Sequence, residues 1–423
     1  MERQWISGKE ACMQSVRIGT NQAGQRLDKF LHKYLPLAGN GFLYKMLRKK
    51  NITLNGRKAE GNEILQPGDQ VCTFFSEETF AKFSGREAPK GYAEDVSPQK
   101  SGKTSASAGD VRNSGERDIH ARGQKPVKAL NENPAKENLV KEYEAAYKKL
   151  RGITVLYEDS DFLILDKPSG ILTQKAAAGD LSLNEWMIGY LLHQNPALAE
   201  ELPLFRPSVC NRLDRNTSGI VLCGKSFPGL QFFSQCVRER SVRKFYRTIC
   251  VGALREAASI EGHLVKDSAQ NRVIVTAGNV LAGEERQSKG RRTAKVQELQ
   301  AAPRSGKASP ICTVYAPIAV TDAYTLLEVE LITGKSHQIR AHLASIGHPL
   351  TGDYKYGLEA VNRMLRKKYG LEHHLLHAGR VTFPEITSGP GARLSGRSIE
   401  APCPEQFREL EEALFPTCRK GTG

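Results

Sequence analysis

The sequence predicts an α+β protein: a large domain on a mixed, largely antiparallel central sheet flanked by helices, preceded by a small α/β unit. Three observations lead there. At 423 residues the chain has room for two or three domains. Beyond residue 137, runs with strand alternation and runs with helical spacing are interspersed, so strands pair mostly with near neighbours. The stretch 84–137 belongs to neither pattern: its 54 residues hold five Val, Ile or Leu, no Phe, and 16 Gly, Pro and Ser. So little apolar surface cannot offset the entropy of ordering, and the stretch reads as a flexible linker.

The small unit spans 14–83. In "QRLDKFLHKYL", Leu27, Phe30, Leu31, Tyr34 and Leu35 fall at helical spacing. "GFLYKMLRKK" repeats the pattern with Phe42, Leu43, Met46 and Leu47, leaving Lys45, Arg48 and Lys49 outward. "ITLNGRK" turns at Asn55-Gly56, a strong hairpin signal, and carries Arg57 and Lys58. "ILQPGDQVCTFF" turns at Pro67-Gly68 and runs on as a strand. Two helices and a small hairpin with a basic outer face make a compact unit.

The large domain spans 138–415. A helix is expected over 139–150, with Leu139, Val140, Tyr143, Tyr147 and Leu150 on one face. A strand, Phe162 to Asp166, ends at the turn Lys167-Pro168-Ser169-Gly170, and a helix at 182–193 follows. "GIVLCGKS", "KFYRTICVGAL" and "YTLLEVELITG" read as strands; the last sets Leu327, Val329 and Leu331 against Glu328 and Glu330. "SHQIRAHLASIG" predicts a helix from Ser336 to Gly347.

Lys and Arg number 61 against 46 Asp and Glu, a net charge of +15. Such an excess suits a polyanion and points to nucleic acid, although a merely basic protein would show it too. The nine Cys are odd in number and no two lie within five residues, which argues against a disulfide framework or a zinc ribbon and fits a reducing cytoplasm. The N-terminus lacks the apolar core of a secretory signal, and no run of 18 apolar residues exists to span a membrane.

The tripeptide Arg-Leu-Asp occurs twice, ending at Asp28 and at Asp214. Asp28 falls in the first turn of a predicted helix, where the macrodipole favours an acid without any further role. Asp214 sits among polar turn residues before an apolar strand, hence at the rim of a sheet. Its spacing alone allows either a functional carboxylate or an Asx-turn at the start of the strand.

"GQRLDKFL", "MLRKKNITLNGRK" and "LQPGDQV" together resemble the S-four-like RNA-binding domain of ribosomal proteins and RNA-modifying enzymes. That resemblance makes Asp28 part of the fold and assigns RNA contact to Lys45, Arg48, Lys49, Arg57 and Lys58. "NRLDRNTSGIVLCGKS" closely resembles the central motif of the RluA-type pseudouridine synthases. Four further stretches agree in order: "YEDSDFLILDKPSGILTQ", "RKFYRTICVG", "LITGKSHQIRAHLASIGHPLTGDYKYG" and "LLHAGRVTFP". The resemblance covers about 153–410. Two positions depart from it: Asn211 stands where the family most often has His, and Lys335 where Arg is more usual.

The resemblance implies an isomerase that converts specific uridines of RNA to pseudouridine. Asp214 would be the catalytic carboxylate, Arg340 its charge partner in a bidentate pair, and Tyr246 the ring stacked on the base. Arg212, Lys244, Lys335 and His337 would contact the substrate. An ionised carboxylate in a drying pocket needs a nearby cation, which makes the pairing physically reasonable. No second carboxylate is evident beside Asp214. His337, His342 and His348 lack the i, i+4 spacing of a zinc helix, and no metal or other cofactor is expected. The expected partner is RNA, that of the large ribosomal subunit before transfer RNA, and the expected state is a cytoplasmic monomer. The rival readings are a non-catalytic RNA-binding or ribosome assembly factor and a base-removing hydrolase. The hydrolase would need a positioned water and usually a second carboxylate near the site.

Overall fold

The computed structural model describes residues 13–85, 134–267, 272–282, 294–295 and 308–416. Most of the expected linker, 86–133, lies outside the described residues.

The N-terminal unit runs β1 (Met13–Arg17), α1 (Leu27–Tyr34), α2 (Asn40–Arg48), β2 (Ile52–Leu54), β3 (Arg57–Lys58), β4 (Gln70–Phe74) and α3 (Glu77–Ser84). Its sheet has the order β1-β4-β2-β3. The β2–β3 turn is of the expected kind, with φ of 51° at Asn55 and 71° at Gly56. Leu27, Phe30 and Leu31 of α1 meet Leu43 and Leu47 of α2 and Ile52 and Val71 of the sheet, all buried. Two elements exceed the sequence expectation. β1 holds too few apolar residues to announce itself and owes its place to pairing with β4, Val16 opposite Val71. The N-terminus of α3 is capped by Ser76, whose hydroxyl accepts from the Thr79 N–H.

The large domain begins with α4 (Pro134–Lys149), a few residues earlier than expected. There follow β5 (Thr154–Glu158), β6 (Phe162–Lys167), α5 (Leu183–Gln194), α6 (Leu198–Glu201), β7 (Ser208–Val209), β8 (Ser218–Gly224) and α7 (Phe227–Glu239). Next come β9 (Arg243–Val251), β10 (Ala258–Asp267), β11 (Arg272–Ala282), β12 (Ala294–Lys295), β13 (Ser309–Val320) and β14 (Tyr324–Leu331). The chain closes with α8 (Gln338–Ser345), α9 (Glu359–Tyr369), β15 (Leu376–Thr382), β16 (Ser398–Glu400) and α10 (Glu405–Leu414). One sheet links the strands in the order β12-β11-β10-β13-β14-β9-β15-β8-β6-β5, with β7 on β8 and β16 on β15. Among the described strand pairs only β8 and β15 run parallel, so the mixed, largely antiparallel α+β sheet is as the sequence predicts.

Strand β8 lies at the centre of the packing. Val221 and Cys223 join Leu163, Leu165 and Met187 on one face. Ile220 and Leu222 join Phe162, Ile164 and Phe233 on the other. Covered by α5 and α7, the strand reads as a continuous apolar run, not an alternating one. Gly219, its second residue, has φ +112°, and a Cβ there would stand 2.3 Å from the Ala378 carbonyl oxygen of β15. Only glycine admits that approach.

The N-terminal unit packs on the large domain. The Phe227 N–H donates to the Asn21 carbonyl at 3.0 Å. The Asn21 amide donates to Glu201 at 3.0 Å. The Lys33 ammonium lies 5.5 Å over the Phe227 ring, and Leu204 is buried in the N-terminal core.

Candidate active site

Three chain segments meet where β8 and β9 begin and β14 ends, around a cleft of about 670 Å³. The first is the loop before β8, which carries Asp214. Its backbone is bonded along its length to the turn that follows β6. The Thr173 hydroxyl donates to the Leu213 carbonyl at 2.8 Å and accepts from the Leu213 N–H at 3.1 Å. The Gly170 N–H donates to the Arg215 carbonyl at 2.9 Å. The Ser169 hydroxyl donates to the Asn216 carbonyl at 3.0 Å. Below them the fully buried Lys167 ammonium donates to the carbonyls of Pro168, Ile171 and Arg215 at 2.9, 2.9 and 3.0 Å. Burial lowers the Lys167 pKa to about 7, against the pull of Asp214 and Asp166.

Buried histidines hold the end of the same loop. His374 Nε2 is 3.0 Å from the Thr217 hydroxyl, and His377 Nδ1 is 2.9 Å from that of Ser218. Asn211, where the family more often has His, pins β8 instead: its side chain accepts from the Leu222 N–H at 2.7 Å and donates to the Ile220 carbonyl at 3.3 Å.

The second segment is β9. Lys244 and Tyr246 are two residues apart, so both face the cleft. Both are almost fully buried, at 8% and 6% exposure, so Lys244 belongs to the wall of the cleft and not to the open surface. Burial lowers the Lys244 pKa, and Arg240 adds to the effect. Burial and the charge of Asp214 both raise the Tyr246 pKa, keeping the phenol neutral.

The third segment follows β14. Lys335 is exposed at the rim. His337 does not lie in the expected helix. It caps α8 in the left-handed conformation, φ 56°, which aims its Nε2 at Asp214, 3.8 Å away, and its Nδ1 at the Tyr356 hydroxyl, 3.0 Å away. Burial lowers the His337 pKa, opposed by Asp214.

Arg340 is the hub, and here the structure corrects the sequence reading. Its NH1 donates to Asp214 at 3.2 Å, a single hydrogen bond. The bidentate partner is Asp353, which accepts from Nε at 2.7 Å and NH2 at 2.8 Å. A second carboxylate is therefore present, contrary to expectation. It is fully buried behind Arg340 and faces the guanidinium. Burial pushes the Asp353 carboxyl up, but Arg340 outweighs this and holds it below the usual range. Asp353 fixes the guanidinium, and the fixed guanidinium presents its third nitrogen to Asp214. Tyr356 lies beneath, with Arg340 and Arg272 at 5.2 and 5.3 Å from its ring centre.

All seven residues expected at the substrate (Arg212, Asp214, Lys244, Tyr246, Lys335, His337 and Arg340) line this one cleft. The five basic residues expected to bind RNA, Lys45, Arg48, Lys49, Arg57 and Lys58, are exposed on the N-terminal unit. Sequence reasoning passed over Lys167, Asp353, Tyr356, Arg272 and His374. Lys167 stands in the turn "DKPSG" and Asp353 and Tyr356 in "TGDYKYG", polar turn segments in which nothing local marks which side chain is buried. Arg272 carries no local signal. Among the described residues no group of three or more His, Cys, Asp or Glu is placed to hold a metal, and no helix is long and apolar enough to cross a membrane.

Residues 161–345 match the model of a family described as RNA pseudouridylate synthase. The chain is 30% identical over 271 residues to ribosomal large subunit pseudouridine synthase D of Xylella fastidiosa, covering 62% of this chain and 69% of that one. It is 26% identical over 404 residues to ribosomal large subunit pseudouridine synthase C of Salmonella typhi, covering 94% of this chain and 96% of that one.

Proposed function

The chain belongs to the RNA pseudouridylate synthase family, and on that footing we propose that it isomerises uridine to pseudouridine in large-subunit ribosomal RNA. The observation that carries this reading is the Asp214 carboxylate, set in a cleft and held at 3.2 Å by an arginine that a buried aspartate fixes from behind. The reaction breaks the bond from ribose C1′ to uracil N1, turns the base, and joins C1′ to C5. The C5 hydrogen leaves as a proton and N1 gains one, so no redox partner is needed. An ionised carboxylate serves either as the nucleophile at C1′ or as the base at C2′. Arg340 gives it a counter-charge at 3.2 Å within the cleft. The neutral Tyr246 ring offers a flat face to a uracil drawn from its stack. Arg212 and Lys335 at the rim, with Lys244 and His337 inside, meet the substrate strand.

The basic face of the N-terminal unit acts in this reading as a second RNA-binding surface. Exchanging Lys45, Arg48 and Lys49 for Gln should flatten the salt dependence of RNA binding, by about 0.7–0.9 in log–log slope for each phosphate that is no longer neutralised.

The activity is tested with large-subunit ribosomal RNA transcripts carrying uridine tritiated at C5. A pseudouridine synthase releases tritium to water and no free uracil. A base-removing hydrolase releases uracil, and a binding factor releases nothing. Transfer RNA transcripts in parallel decide the substrate. Release from transfer RNA alone would overturn the ribosomal assignment.

A further inference from the structure

Asp214 borders two hollows. Beside the cleft lies a second one, of about 390 Å³, which shares Asp214, Arg215, His337 and Arg340 with it as a common wall. Tyr354 and Lys355 belong to the second alone. Its size is that of a small-ligand site. Arg215 and Lys355 bring positive charge to it, and Arg340 is already engaged by two carboxylates.

Tyr354 is the most exposed aromatic ring among the described residues, at 53%. A half-exposed ring on a mobile loop would mean little, but this one is rigidly presented. The Asp353 carboxylate accepts from the N–H groups of Lys355 at 2.9 Å and Tyr356 at 3.1 Å. The Asp353 carbonyl accepts from the Gly357 N–H at 2.8 Å and from Asn362 at 2.9 Å. The Asn362 side chain in turn accepts from the Gly352 N–H at 2.8 Å. The residue that fixes Arg340 thus also fixes the turn carrying Tyr354. An aromatic surface held in place loses little freedom when it binds.

With Asp214, Arg215, His337 and Arg340 as a common wall, an RNA strand whose uridine turns into the first cleft has the second hollow next to it for its neighbour. We propose that the second hollow binds the nucleotide adjoining the target uridine in a locally unpaired RNA. Its base stacks on Tyr354 and its phosphate meets Arg215 and Lys355. The proposal rests on the first cleft being the uridine site. Because every base has a flat face, the subsite selects for an unstacked neighbour and not for its identity.

The test uses fluorescein-labelled single-stranded RNA 13-mers with one uridine among cytidines. Two further versions have the base removed from the nucleotide just before or just after that uridine. Fluorescence anisotropy at fixed salt gives the affinities. Wild type should lose about 5- to 150-fold on one of the two abasic RNAs and much less on the other. Tyr354→Ala should bind the intact RNA as weakly as wild type binds that abasic one, and should not distinguish the two. Tyr354→Phe, which keeps the ring, should behave as wild type. Wild type indifferent to both abasic changes, or Tyr354→Ala still sensitive to one, would overturn the subsite. Tritium release from the ribosomal transcripts by wild type reports on the uridine reading separately. Release without discrimination between the abasic RNAs sinks the subsite alone. Discrimination without release leaves the subsite standing and sinks the catalytic reading.

Discussion

Arg26-Leu27-Asp28 and Arg212-Leu213-Asp214 are one tripeptide in two settings. In both the leucine is buried, at 0% and 7% exposure, and the aspartate lies beside it at an edge. The partners then diverge. Asp28 is satisfied at home. It accepts from the Lys29 N–H at 2.7 Å, from the guanidinium of its own tripeptide at 2.9 Å and from the Tyr44 hydroxyl at 3.1 Å. Burial pushes its pKa up, and these partners together more than reverse the shift. Asp214 receives nothing from Arg212, which turns to the cleft rim. Its cation is Arg340, 126 residues away. A carboxylate committed to its neighbours shapes a fold. One held by a distant, braced cation at the edge of a cleft keeps an oxygen for a substrate.

The contrast is tested hardest at the arginines. Arg340→Met leaves Asp353 buried and unpaired, at a cost of roughly 3–5 kcal/mol, and removes the partner of Asp214. It should lose most turnover and melt well below wild type, whereas Arg26→Met should do neither. Equal melting temperatures for the two variants would contradict the role given to Asp353. Lys167→Met comes next. Three buried carbonyls lose their donor, each at about 1–3 kcal/mol if left unpaired. As the loop behind Asp214 slackens, kcat should fall more than KM rises. A rise in KM alone would place Lys167 outside the support of Asp214.

A smaller effect lies in acid. Burial lowers His342 and His374 to about 4, while the unfolded chain titrates near 6.5. Between those values the unfolded state binds more protons, so stability is present above about pH 6.5 and is lost as pH falls toward 4. Chemical denaturation at pH 7 and pH 4.5 should show the drop, and His374→Gln should lessen it. An unchanged slope would mean that His374 charges freely in the fold. The smallest effect is that of Asp28→Asn, whose turnover at saturating RNA should match wild type. A clear loss would blur the contrast between the two aspartates.

What the sequence disclosed follows the same division between near and far. Helices α1 and α2, the hairpin at Asn55-Gly56 and the buried strand β8 depend on spacing within a few residues, and all were legible. Asp214, Tyr246 and Arg340 were picked out because their motifs resemble a family; spacing alone left Asp214 open to a turn role. The bidentate partner was misassigned because Asp353 meets Arg340 only after the chain turns back at Gly347 and Gly352, both at positive φ. His337 was placed in the helix because apolar spacing does not mark where a left-handed residue stops it. Lys167 looked like turn punctuation because nothing within its own segment reveals that three carbonyls converge on its ammonium.

In the proposed reading only one of the two aspartates performs chemistry. Tritium release from uridine-labelled large-subunit ribosomal RNA should be measured for wild type, Asp214→Asn and Asp28→Asn, each at saturating RNA and each checked for native melting. We predict that Asp214→Asn falls by on the order of 10³-fold or more while still binding RNA, and that Asp28→Asn releases tritium at the wild-type rate. Wild-type release by a folded Asp214→Asn would contradict that reading.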